Sequence, residues 1–237
     1  MTGTKRDAYE AFLQKAVDAR LAEISRRRLL RNAGITGGVA ALGTIGLAAA
    51  QDDATPEVGD DAATPMADDA PFEGPVDVLN YALTLEHLEA TFYREGLEEF
   101  DVAAFEEFGF QASVFERLSE IADHEAAHVE ALTATINELG GEPVAEAEYD
   151  FGYEDLDSFL ETAEVLEDTG VAAYQGAAQY LIEEDELLTA ALTIHAVEAR
   201  HASYLALLNE NSPFPEAFNP TLTPEEVLDA ASQFIVD

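Results

Sequence analysis

Two histidines in this chain stand three residues after a glutamate, in Glu125-Ala126-Ala127-His128 and in Glu198-Ala199-Arg200-His201. On an α-helix such residues share a face, with Cβ atoms about 5–6 Å apart. A carboxylate so placed can reach across two metal ions while the imidazole takes one of them, and this donor set suits iron, manganese or zinc. Two further glutamates join them through an internal repeat. Leu85-Glu86 is followed by Tyr93, and Leu166-Glu167 by Tyr174, each tyrosine seven residues after its glutamate. Leu132 and Leu205 likewise stand seven residues after Glu125 and Glu198. The halves are offset by 81 residues in the first pair and 73 in the second, the difference being loop length. A duplicated pair of helices is the simplest explanation. One glutamate from each of two helices, plus Glu-x-x-His from each of two others, is the ligand set of a dinuclear carboxylate site in a bundle core.

Plainer readings compete for each residue. In so acidic a chain a lone glutamate is normally a solvated surface charge, and only the repeat lifts these four above that level. Glu89 stands three residues after Glu86, near the same face. Glu86 is preferred because its spacing to Tyr93 is mirrored in the second half. His128 and His201 have an alternative as satisfied, partly buried side chains, and Tyr93 and Tyr174 as core aromatics. His87, His124 and His195 lack mirrored partners and read as surface or supporting residues, with His124 the first substitute ligand.

Holding such a set together requires four long helices. From Gly74 onward the apolar positions recur with helical period. Segment A covers 75–96, segment B 111–139, segment C 156–182 and segment D 184–209. Pro75 and Gly140-Gly141 suit helix ends. No stretch alternates convincingly as a strand. The expected fold is all-α, a four-helix bundle over 74–210. The connection over 140–155 has sixteen residues. Extended, these reach up to about 53 Å, more than the roughly 43 Å of segment B as a helix. They can therefore cross the bundle and set B and C parallel. The tail over 211–237 ends in a short helix started by Pro224, with Val227, Leu228, Ala231, Phe234 and Ile235 as its packing stripe. Phe92, Phe115, Leu118, Leu132, Leu181, Leu192 and Leu205 read as core.

On these residues the chain resembles the ferritin-like superfamily over roughly Pro75–Asn209, with its nearest likeness among exported prokaryotic ferritin-like and desiccation-related proteins. The resemblance implies two iron ions, or alternatively manganese. Glu86 and Glu167 would be terminal ligands, one per metal. Glu125 and Glu198 would bridge, and His128 and His201 would each bind one metal. Tyr93 and Tyr174 would lie beside the site, bonded to a ligand. Four carboxylates neutralise two divalent ions. The implied activity is redox, either ferrous-iron oxidation or chemistry on oxygen or peroxide. The alternative is a non-catalytic structural or stress protein whose metal is structural or absent. Two departures bear on the reaction. Without cysteine there is no rubredoxin-type iron centre, and Gly170 stands where rubrerythrin-like peroxidases resemble one another in carrying an extra glutamate. A di-manganese catalase needs no external donor and stays open. A homodimer is compatible with the reading.

Composition narrows the setting. The net charge of −38 over 237 residues combines a basic leader and an acidic body. Residues 1–50 hold eight of the eleven basic residues, and residues 51–237 carry a net charge of −42. Such a body repels phosphate backbones, which excludes nucleic-acid binding. With 48% apolar residues in helical period, it has enough to bury a core and escape the disorder that high charge otherwise brings. Self-repulsion on this scale points to a protein adapted to concentrated salt, where the screening length shrinks to about 3 Å at 1 M. Its melting temperature should accordingly rise from dilute buffer to multimolar salt; a flat response would remove the halophilic reading. Absence of cysteine excludes disulfides, thiolate nucleophiles, zinc knuckles, iron–sulfur clusters and a lipoprotein anchor. Ser25-Arg26-Arg27-Arg28-Leu29-Leu30 resembles a twin-arginine export motif. A weakly apolar stretch, Ala33 to Ala50, follows and ends in Ala48-Ala49-Ala50 before Gln51. The same stretch, about 27 Å long as a helix, is the alternative membrane anchor if uncleaved. Residues 51–73 read as an acidic flexible linker. The expected location is extracellular or at the cell surface.

Overall fold

The computed structural model describes residues 71–236. The twin-arginine-type leader over 1–50, and the acidic linker over 51–73 apart from its last three residues, lie outside them. Six helices follow in order: α1 Pro75–Glu99, α2 Val102–Phe108, α3 Ala112–Glu138, α4 Leu156–Ala177, α5 Asp185–Leu208 and α6 Pro224–Ala231, with a 3-10 turn Ala178–Leu181 extending α4. Local chemistry starts them. Pro75 occupies the first turn of α1, where its missing N–H is no loss. Asp155 and Ser158 form a reciprocal capping box on α4. Thr223 and Glu226 form another on α6. The short α2 is absent from the sequence-based expectation, because seven residues are too few to display a period. Its Asp101 cap accepts from the Ala103 and Ala104 amides. Phe105 pins it down, fully buried against Phe110 and Phe115.

The fold is the expected all-α bundle with a long crossover and a short C-terminal helix. Helix α1 packs chiefly on α3, and α4 on α5. The connection between the two pairs climbs the length of α1. Asn80 meets Glu142 and Val144, the His87 ring meets the Val144 carbonyl, and Arg94 pairs with Glu146 at 2.8 Å. Phe151 and Tyr153 then stand edge-on to Phe92. The chain thereby enters α4 beside the end of α1, where Phe159 stacks on Phe92 at 4.8 Å. Gly96 makes this approach feasible, since a Cβ there would fall 2.1 Å from the Phe159 ring. Helix α4 consequently runs antiparallel to α1, and α3 and α4 run parallel. At the far end of α5, Asn209 donates to the Leu160 carbonyl and to Glu164, which closes the second antiparallel pair.

The tail folds back on the bundle. Tyr149 and Ile235 form an isolated antiparallel bridge, and Phe234 packs on Phe151. Two expected core residues point outward instead. Leu192 is 50% exposed, because two residues from buried Ile194 is nearly the opposite side of the helix. Leu228 is 42% exposed, turned away from the Val227–Ala231 line that α6 buries. Among the described residues no helix is long and apolar enough to cross a membrane.

Candidate metal centre

Four helices each bring one carboxylate into the middle of the bundle. Glu86 comes from α1, Glu125 from α3, Glu167 from α4 and Glu198 from α5, and all four are fully buried. Periodicity adds His128 on the face of Glu125, and His201 on the face of Glu198. Both imidazoles are buried. The donor atoms form two overlapping groups. Glu86, Glu125, His128 and Glu198 offer atoms within 4.8 Å of one another, and so do Glu125, Glu167, Glu198 and His201. Glu125 and Glu198 belong to both groups. Glu86 with His128, and Glu167 with His201, belong to one each.

The contacts inside the cluster exceed what protons can satisfy. His128 Nδ1 lies 3.1 Å from Glu86 Oε2, 3.1 Å from Glu125 Oε2 and 3.2 Å from Glu198 Oε1. One ring nitrogen carries at most one proton, so it serves one of these three oxygens well. His201 Nδ1 lies 2.9 Å from Glu125 Oε1 and 3.3 Å from Glu167 Oε2 without forming an aligned hydrogen bond to either. Glu125 Oε1, Glu167 Oε2 and both oxygens of Glu198 are buried and make no hydrogen bond. Buried polar atoms in native proteins are nearly always paired. Orphaned oxygens facing ring nitrogens at this spacing fit a site for cations that accept all of them at once.

Electrostatics point the same way. Burial lifts Glu86 well above the ordinary carboxyl range, and the charges of Glu198 and Glu125 add to it. Burial lifts Glu167 likewise, again with Glu198 and Glu125 contributing. Burial opposes ionisation of Glu125 too, but the His128 hydrogen bond and the adjacent His201 imidazole outweigh it and hold that group at about 2. Burial disfavours a charged His128, yet Glu125, Glu198 and Glu86 push it up to about 12. Without metal, the cluster balances itself by loading protons onto carboxyls and an imidazole. Divalent ions would replace them, with each imidazole neutral and each carboxylate ionised.

Two tyrosines brace the cluster crosswise. Tyr93 on α1 donates to Glu167 Oε1 on α4, and Tyr174 on α4 donates to Glu86 Oε1 on α1, both at 2.5 Å. Each glutamate is thus held through one oxygen while its other oxygen faces the histidines. Burial, then the neighbouring carboxylate, raises both phenols well above their ordinary range, so they remain donors.

His124 sits one residue before Glu125 with its Nδ1 3.0 Å from His201 Nε2, the two rings stacked at 5.3 Å. That contact leaves His201 Nδ1 facing the carboxylates. Sequence spacing offered no mirror for it, because the matching position in the second half is Val197. Replacing an outer partner of this kind typically weakens metal affinity about 10–100-fold. His124→Ala should do so while leaving two ions bound at saturation, read by metal titration; unchanged affinity would show that the contact orients nothing. His87 reaches the crossover loop, and His195 stays half-buried with its protonated form disfavoured by burial. Glu89, the competitor of Glu86 on sequence grounds, is buried as well, at 2% exposure. Its signal in the sequence was its place one turn after Glu86.

Residues 74–211 match the family described as Ferritin-like domain. The chain is also similar to Protein rds1 of Schizosaccharomyces pombe, 27% identical over 160 residues. That alignment takes in 67% of this chain but 38% of the relative, so the chain spans well under half of that protein's length.

Proposed function

Given that the chain belongs to the family of ferritin-like domains, we propose that its buried cluster holds a dinuclear centre of iron, or alternatively manganese, and that the protein is an oxidoreductase acting on oxygen, peroxide or ferrous iron. The observation that carries this reading is the set of carboxylate oxygens converging on two imidazole nitrogens, several of them buried without a hydrogen bond. Glu86 and His128 would hold one ion, Glu167 and His201 the other, and Glu125 and Glu198 both. When bound, such a metal pair would supply two electrons, one from each ion, to oxygen or peroxide.

The chain's own residues define the rest. Tyr93 and Tyr174 orient the terminal carboxylates and keep a proton beside each. The stacked rings of Phe92 and Phe159, both fully buried, stand edge-on to Tyr93 and hold its ring in place. Export through the twin-arginine route suits a passenger that folds around metal before crossing the membrane. The leader over 1–50 supports an extracellular or cell-surface location, and the acidic body over 51–237 supports a salty one.

Metal analysis tests the reading directly. The full chain, purified without added metal, should carry about two equivalents of iron plus manganese, as dinuclear bundles of this kind do. Less than half an equivalent counts against the centre. The loaded protein should then consume oxygen with ferrous ion or release oxygen from peroxide; a loaded protein that does neither is structural.

A further inference from the structure

The internal repeat breaks at one position that faces the cluster. The offset of 81 residues that maps Glu86 onto Glu167 and Tyr93 onto Tyr174 maps Glu89 onto Gly170. One half has a carboxylate where the other has no side chain at all. Glu89 lies on α1 one turn after Glu86 and is 2% exposed. Gly170 lies on α4 one turn after Glu167. A Cβ built on Gly170 would stand 3.0 Å from Glu89 Oε1 and 3.4 Å from Glu198 Oε2. These two carboxylates therefore converge on the volume that the glycine leaves free. Glu198 Oε2 is buried there and accepts no hydrogen bond. Gly170 and Glu167 share α4 one turn apart, so this close approach sets Glu89 on the side of the cluster where Glu167 and His201 stand.

We infer that Glu89 is a seventh residue of the centre, an extra carboxylate for the ion that Glu167 and His201 would hold, and that glycine at 170 makes room for it. The inference rests on the dinuclear reading above. It makes the centre lopsided. The Glu167–His201 half gains an anionic oxygen donor that the Glu86–His128 half lacks. Hard, negatively charged oxygen donors favour oxygen-seeking and more highly charged ions. The first ion should therefore bind in that half, and any increase in oxidation state should be stabilised there first.

Manganese(II) titration of the metal-free full chain, followed by electron paramagnetic resonance, separates the two halves. The wild type should bind two ions in unequal steps. Glu89→Gln should weaken the tighter step about 10–100-fold, as removal of a supporting carboxylate does, and leave the weaker step within about twofold of its original affinity. Gly170→Ala keeps the carboxylate but drives it from its space, and should weaken the same step. With cobalt(II), loss of one oxygen donor should intensify the visible absorption of a single ion as its coordination number falls, a signature that mere loosening of the fold does not give. Circular dichroism of the metal-free variants controls for folding. Two ions bound by Glu89→Gln with both affinities and the cobalt spectrum unchanged would overturn the inference and leave the dinuclear reading standing. A wild type that binds no metal would overturn both.

Discussion

Replacing Glu125 and Glu198 together by alanine should abolish metal binding under conditions where the wild type takes up two ions. Each of these carboxylates belongs to both donor groups. Without them, Glu86 and His128 remain in one half and Glu167 and His201, joined by Glu89, in the other, and neither set of two or three donors is enough to hold an oxygen-seeking divalent ion through dialysis. The single substitution Glu86→Ala should behave differently and cost one ion, because Glu86 belongs to one group. The metal-free double variant should still fold, since four clustered buried carboxylates destabilise a protein that has no cation to pair with them. Alanine leaves cavities, so Glu125→Gln with Glu198→Gln serves as the isosteric control. Inductively coupled plasma analysis after dialysis reads the result. Full retention of two ions by the alanine pair would show that the ligand assignment is wrong.

Chelated protein should lose stability as pH rises from about 5 to about 8, and two bound divalent ions should reverse that loss. Glu86, Glu89 and Glu167 hold carboxyls whose folded-state values lie well above the unfolded value of 4.5, burial being the first cause in each. The folded state then binds more protons than the unfolded one. Their contribution is fully present below 4.5 and is lost as pH climbs through the raised values. His128 acts in the same direction, its contribution declining between its unfolded value of 6.5 and about 12. Glu125, held at about 2, has the opposite sign, but its effect is confined below 4.5. Measurements in about 1 M salt screen the acidic surface and isolate the buried groups. Two ions at a hundredfold their dissociation constants contribute about 5 kcal/mol together. That corresponds to roughly 10–20 °C in melting temperature for a domain of this size. Glu86→Gln with Glu167→Gln should flatten the pH slope of the metal-free protein. A chelated wild type that melts higher at pH 8 than at pH 5 would contradict the electrostatic account.

The parts of this architecture that are local were legible before any coordinates. Helical period along 75–96, 111–139, 156–182 and 184–209 marks four amphipathic segments, and the ends found for α1, α3, α4 and α5 fall within a few residues of them. The exceptions have local reasons too. Helix α1 runs on to Glu99 because Gly96 is wanted for its missing side chain against Phe159, and it does not stop the helix there. Segment C tightens into a 3-10 turn from Ala178, at the approach to the bend before α5. Leu192 reads as core in the sequence but is exposed, because in an alanine- and leucine-rich helix such as α5 nearly every face looks apolar, and only the packed neighbours show which one is covered.

By itself, the sequence determined the helices, their paired halves, and the residue types that a cluster of this kind needs. Those are properties of spacing, and a spacing of three or seven residues has one geometric meaning on a helix. The tertiary structure alone decided which faces meet. It sent the chain over 140–155 along α1, so that α3 and α4 run parallel and all four carboxylates reach one level. It joined Tyr93 to Glu167 and Tyr174 to Glu86 across the bundle, and not to the glutamates on their own helices. It also set His124 against His201, and turned Glu89 toward the gap at Gly170. Period encodes a direction around one helix axis; the distance from that face to another helix is set by packing and by the path of the connecting loop, which no local spacing records.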